Sequence, residues 1–169
     1  MADAATVLDV KTSIDDVGTG IRKEKRKEIA SRLSEVLTGS YILVLKSHLY
    51  HWNEVGPLFH PLHKMTEDHY EKIFEACDEI AERIRALGYP ASLSAKLFSD
   101  GTRGLTPDGA TSQHMIEALV ADHEALCRSM RKVAAMAEEA EDFVTHDLMT
   151  GRLAYHEKVV WMLRATLAD

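Results

Sequence analysis

The chain is poor in the residues that interrupt helices. Its 169 residues include four prolines and nine glycines, too few for a protein of many short strands, and Ala, Leu, Glu, Met, Lys and Arg supply much of the rest, which favours long helices. Cysteine is scarce as well. Cys77 and Cys127 are the two present; with no CxxC spacing they frame neither a zinc site nor a disulfide scaffold, and they read as buried thiols of a reducing compartment, the cytoplasm. The first twenty residues carry Asp3, Asp9, Asp15 and Asp16 and no continuous apolar stretch, so neither a secretory signal nor a membrane span is expected. Positive charge is also in deficit. A net charge of −7 repels nucleic acid on average.

What is present is helical periodicity on the scale of one domain. Residues 1–21 mix small, polar and acidic side chains and end in Gly18-Thr19-Gly20, so a flexible N-terminal arm is expected ahead of a domain spanning 22–169. From about Arg22 the residues Ile29, Leu33, Val36, Leu37, Ile42, Leu45 and Leu49 recur at helical spacing until Gly56-Pro57. A second helix runs from near Leu58 through Met65, Tyr70, Ile73, Phe74, Ile80 and Ile84 to Gly88, with Arg83 and Arg85 in its last turn complementing the helix dipole. Residues 89 to about 110 hold Pro90, Gly101, Gly104, Pro107 and Gly109 and form a connection with room for a short helix over Ser92–Phe98. Thr111 or Ser112 caps a third helix, and a fourth starts near Asp142. Trp161 and the methionines Met115, Met130, Met136 and Met162 fall at core spacing in these last two. The expectation is an all-α bundle of four long helices with one long middle crossover, the ferritin-like plan.

Chemistry-bearing residues concentrate on the first two helices. His51 closes the first, His63 and Glu67 lie four apart near the start of the second, and Asp78 and Glu82 lie four apart near its end, so each pair shares a helix face. An isolated acidic pair is usually a solvated face, and a lone histidine is usually a packing or surface residue. His63 and Asp78 are separated by about 22 Å along one helix and cannot share a metal within one chain. A second chain can close the gap. If two copies of the second helix pack antiparallel about a two-fold axis, facing residue numbers add to a constant, and His63 with Glu82 and Glu67 with Asp78 satisfy the same constant. Each of two equivalent sites then takes His51, His63 and Glu67 from one subunit and Asp78 and Glu82 from the other. Imidazole with carboxylate suits iron or manganese, and zinc competes for the same ligands.

The run His51-Trp52-Asn53-Glu54-Val55-Gly56-Pro57, followed by Phe59, His63, Asp78 and Ala81-Glu82-Arg83-Ile84, strongly resembles the Dps family, the starved-cell mini-ferritins, over about residues 25–167. The resemblance implies a hollow dodecamer whose inter-subunit ferroxidase centres oxidise Fe(II), preferably with hydrogen peroxide, and store the ferric product inside as protection against oxidative stress. It implies that His51, His63, Asp78 and Glu82 are iron ligands and that Trp52 lies beside them. Glu67 stands where aspartate is common in the family, which alters the reach of that ligand and bears on the second metal position.

The remaining candidates carry competing readings. His48 and His60 each precede a site histidine by three residues and are either outer-shell partners or surface packing. His69, His114, His123, His146 and His156 match no ligand position. Asp142 and Asp147 are either pore-lining acids or ordinary helix N-terminal acids. Arg22, Lys23, Lys25, Arg26 and Lys27 form the one basic cluster, read as a solvated helix face rather than a DNA contact. Lysine-rich tails are absent, so DNA binding is expected to be weak at most. Three rival classes are a diiron oxygenase, which draws Glu and Glu-x-x-His ligands from one bundle, a nucleoid-protecting DNA binder with weak or vestigial ferroxidase activity, and a plain helical scaffold.

Overall fold

A computed structural model describes residues 17–103, 105 and 109–168. Most of the expected N-terminal arm therefore lies outside the described residues, and the chain from 17 to 22 carries no helix. Five helices follow: α1 Lys23–Asn53, α2 Phe59–Ala86, α3 Ala95–Thr102, α4 Ser112–Glu139 and α5 Phe143–Thr166. The pairs α1–α2 and α4–α5 pack most extensively, α1 against α4 joins the two pairs, α3 lies on α1, and α2 and α5 touch least. The core runs along the bundle axis through Ile29 and Leu33 of α1, Ile73, Ile80 and Ile84 of α2, Leu119 and Met130 of α4, and Met149 and Leu163 of α5.

Helix ends follow from local chemistry. Gly56 has φ +88°, the left-handed backbone that turns α1 into α2 and that costs glycine nothing. At the end of α2 the amide of Tyr89 bonds the carbonyl of Ile84 (3.3 Å) and that of Gly88 bonds Arg85 (2.9 Å), a Schellman cap around a glycine with φ +91°. The same motif closes α4, with Asp142 bonding Ala137 (2.8 Å) and Glu141 bonding Glu138 (3.0 Å), but here the left-handed position is Glu141, φ +57°. Asp142 then caps α5 through Thr145 N (3.0 Å).

The crossover is pinned at both ends. Ser94 N donates to Thr38 Oγ1 (2.9 Å), and the Ser112 hydroxyl donates to the buried carboxylate of Glu54. Its short helix begins at Ala95 rather than Ser92 because Ser94 caps it, accepting from Leu97 N. A methyl group added at Gly101 would meet Ile42 Cδ1 at 2.5 Å, so α3 rests closely on α1 and a side chain there would have to displace the tip of Ile42.

Several expectations need correction. Arg26 is not on a solvated face: it is 3% exposed and donates to Leu87 O (2.7 Å) and Ile21 O (3.2 Å), satisfying a carbonyl at the end of α2. Arg83 does more than complement a dipole, because its Nη2 meets Asp142 Oδ1 (2.6 Å) and its Nε meets Thr145 Oγ1 (2.8 Å). Asp142, 1% exposed, is thereby a buried cap and not a pore-lining acid; Asp147 is exposed. Trp161 is 66% exposed and outside the core, as are Leu45 and Phe74, while Met115 and Met130 are buried and Met136 and Met162 half-buried. Cys77 and Cys127 are free and buried, and burial pushes the Cys77 thiol up to about 12, so it stays protonated and inert. Among the described residues no helix is long and apolar enough to cross a membrane.

Two substitutions at the α4–α5 corner test this account by the thermal midpoint of the assembled protein. Glu141→Gly relieves a left-handed side chain and is expected to stabilise by up to about 1 kcal/mol. Asp142→Ala strands the Arg83 guanidinium and removes a cap, and is expected to cost about 3 kcal/mol.

Candidate metal centre

The short turn after α1 brings the last turn of that helix against the first turns of α2. Two histidines close the junction reciprocally: His51 Nδ1 donates to the carbonyl of His63 (2.8 Å), and His63 Nδ1 donates to the carbonyl of His51 (2.9 Å). Their rings stack with centroids 3.7 Å apart and planes 18° from parallel. With each Nδ1 proton committed to a carbonyl, each ring is fixed in the tautomer that leaves Nε2 as a bare lone pair. That is the form a metal ligand requires. The donor set fits a divalent cation before any carboxylate is counted.

The surroundings hold this arrangement in place. Tyr70 meets His51 edge-on at 5.3 Å and His48 at 4.0 Å. His48 in turn stacks on Trp52 at 5.3 Å, and Phe59 lies 5.0 Å from His63. His48 therefore belongs to an aromatic wall, while His60 is exposed. Thr66 is buried beside His51, its hydroxyl donating to Leu62 O (2.7 Å).

Glu67 lies one turn after His63 on the same helix. Its carboxylate accepts a short hydrogen bond from Lys64, and this ammonium beside it holds the carboxyl below the usual carboxylate range. Lys64 thus occupies the acid expected from the sequence to serve a metal. Sequence reasoning missed both Lys64 and Tyr70. The readable signal was spacing, since Lys64 precedes Glu67 by three residues on the helix and Tyr70 follows it by three.

Asp78 and Glu82 do not join the histidines. Both are exposed on α2, several turns away, and among the described residues of one chain no three His, Cys, Asp or Glu side chains converge to hold a metal ion. The expected ligands thus fall into two groups, His51, His63 and Glu67 at the α1–α2 junction and Asp78 and Glu82 toward the other end of α2. Between them Phe74 is 58% exposed, with Tyr41 edge-on against it at 6.3 Å. Trp52 and Phe59, at 65% and 44%, extend the apolar surface toward the histidines.

Comparison with known proteins follows the same lines. A ferritin-like domain model matches residues 30–169. An uncharacterised low temperature-induced protein of Nostoc sp. is 39% identical over 152 residues, which cover 88% of this chain and 85% of that one. The DNA protection during starvation protein 2 of Bacillus anthracis is 32% identical over 142 residues, 83% of this chain and 97% of the relative. The crystal structure of a Vibrio cholerae Dps protein, described as a member of a broad superfamily of ferritin-like diiron-carboxylate proteins, superposes with a TM-score of 0.82 at 25% identity, covering 95% of this chain and 99% of its own. Fold and sequence together define a ferritin-like protein of the iron-storing, protective class. Within that class, the chain belongs to the Dps family.

The Lys64 clamp yields a direct test. Lys64→Met is expected to release Glu67 and raise the zinc affinity of the metal-free assembled protein by up to about fivefold, the most that an exposed ion pair of this kind withholds. Isothermal titration calorimetry measures it, and an unchanged affinity would place Glu67 outside the metal's coordination shell.

Proposed function

We propose that the chain is a cytoplasmic mini-ferritin subunit that oxidises Fe(II) at centres shared between two copies and stores the ferric product inside a dodecameric shell. The observation that carries this reading is the pair of carbonyl-locked imidazoles, His51 and His63, at one end of α2, with the exposed carboxylates Asp78 and Glu82 at the other. An antiparallel dimer about the middle of α2 joins each half-site to its complement. The exposed Phe74 ring lies next to that midpoint, where a two-fold axis would bury it against its own copy. Trp52 lies at the edge of the same centre.

In this reading iron is the substrate. His51 and His63 offer neutral Nε2 atoms, and Asp78 and Glu82 of the facing copy supply the negative charge that offsets the gain of positive charge on oxidation. Glu67, once free of Lys64, is the ligand whose longer arm reaches toward the second metal position. Two Fe(II) ions give two electrons to one hydrogen peroxide, which takes up two protons and leaves as two waters, so no hydroxyl radical is released. Detoxification and storage then become one reaction. Zinc and manganese are expected competitors for the same donors.

DNA binding is not needed for this function. Burial of Arg26 removes one cation from the N-terminal basic cluster, and Lys25 lies 3.7 Å from Glu28.

The test is anaerobic loading of size-fractionated protein with Fe(II), followed by stopped-flow absorbance after peroxide or oxygen is added in parallel. Fast oxidation confined to the shell-sized fraction is expected, with peroxide the faster oxidant and a soluble ferric product. Asp78→Ala/Glu82→Ala should keep the shell, because both side chains are exposed in the single chain, and should slow oxidation by on the order of 100-fold. A normal rate in that variant would overturn the assignment.

A further inference from the structure

Among the described residues, buried polar atoms without partners gather inside the bundle, on His69, His123, His156, Arg152 and Tyr155. His69 of α2, His123 of α4 and His156 of α5 are 4%, 0% and 0% exposed. The Nδ1 atoms of His123 and His156 are 2.8 Å apart. Two neutral rings in that contact share one proton, one donating and one accepting. His123 Nε2, His156 Nε2 and His69 Nδ1 are all buried and bond nothing else in the protein. Native interiors leave few such atoms, and those that occur call for water or an ion.

We propose that His69, His123 and His156 form a second metal site, within one subunit, for a single imidazole-preferring divalent ion of the first transition row such as zinc or cobalt. Ring spacing supports it. An imidazole bound at a metal–nitrogen distance of about 2.0–2.1 Å places its ring centre about 3.2 Å from the ion, so two rings at a tetrahedral angle have centres about 5 Å apart. The His123 and His156 centroids are 4.9 Å apart, and those of His69 and His123 are 5.7 Å apart at 70°. The three side chains do not yet converge on one point. His69, edge-on to His123, is the ring that must turn about its Cβ–Cγ bond.

Charge state and access agree with this role. Burial pushes His69 down to about 4 and His156 down to about 3, and it carries His123 well below the ordinary histidine range. All three rings are uncharged at neutral pH; in the His123–His156 pair one Nδ1 carries the proton that the other accepts, so an ion held by both rings takes the place of that proton between the two Nδ1 atoms, and the donating ring moves its proton to Nε2. Arg152, one turn before His156, opposes a cation: its guanidinium lies 4.7 Å over the Tyr155 ring with Nε and Nη2 buried and unpartnered, and its charge acts on both His123 and His156, offset in part by Glu75 and Glu79. A groove of about 380 Å³ between α2 and α5 reaches His69 past Asp68 and Tyr155. These two helices touch least among the long ones that pack together, so an ion shared by His69 and His156 would tie α5 to α2 where side-chain packing does not.

Zinc and cobalt also suit the inter-subunit ligands, so the test uses the full-length, assembled Asp78→Ala/Glu82→Ala protein. Cobalt(II) is expected to give the intense visible bands of a tetrahedral nitrogen site at one ion per chain, and zinc to raise the thermal midpoint by several degrees. Adding His156→Leu should abolish both effects. Adding His69→Leu at the groove wall should weaken both, which keeps the test decisive if the His156 variant folds poorly. Bands and a zinc-dependent shift that survive these substitutions would place the ion elsewhere and overturn the proposal. So would the absence of both effects in the parent variant at millimolar metal.

Discussion

Two imidazole N–H groups donated to main-chain carbonyls hold the end of α1 against the start of α2, and much of what the protein can do depends on this exchange. It satisfies carbonyls near the helix junction, fixes the approach of the two helices and selects the tautomer of both rings at once. Two imidazole Nε2 lone pairs are thereby left free without any charge being buried. The aromatic wall of Tyr70, His48 and Trp52 keeps the rings from turning away, so the order of the site is set by packing as well as by hydrogen bonds.

Two arginines extend the same logic to the rest of the bundle. Arg26 ties the start of α1 to the end of α2, and Arg83 ties the end of α2 to the start of α5. Each guanidinium replaces water at a helix terminus whose polar groups would otherwise be buried unpaired. The Arg83 pair is costly to desolvate and becomes favourable only because Thr145 shares its hydrogen bonds. The α4–α5 corner therefore combines a strained Glu141, a buried acid and an arginine from another helix within a few residues.

Much of this was legible in the sequence. Long periodic runs between Gly56-Pro57, Gly88 and the Pro/Gly-rich segment fixed the helices within a few residues, since local periodicity determines both the helix and its buried face. Positions whose environment is set by distant partners were harder to read. Arg26 and Asp142 look like surface charges until the elements facing them are known. Leu45, Phe74 and Trp161 obey the helical period of their neighbours yet lie outside the core of one chain. The pairing of His51 with His63 followed from their places on either side of a short turn, and Glu67 from its helical spacing. The Lys64 contact competes with metal binding through side-chain reach, which spacing alone does not weigh. His69, His123 and His156 sit far apart in sequence on three helices, so no short motif announces their meeting.

The two tryptophans give the chain an internal optical contrast. Trp52 is exposed and stacked on His48 near the His51–His63 pair, whereas Trp161 is exposed on α5, a helix that carries none of the five proposed inter-subunit ligands. Trp52 emission is therefore placed to sense an ion at the proposed inter-subunit centre, and Trp161, five residues after His156 on the same helix, to sense one inside the bundle. The unmodified protein would thus carry its own optical reporter for each of the two proposed sites, with no external dye or label.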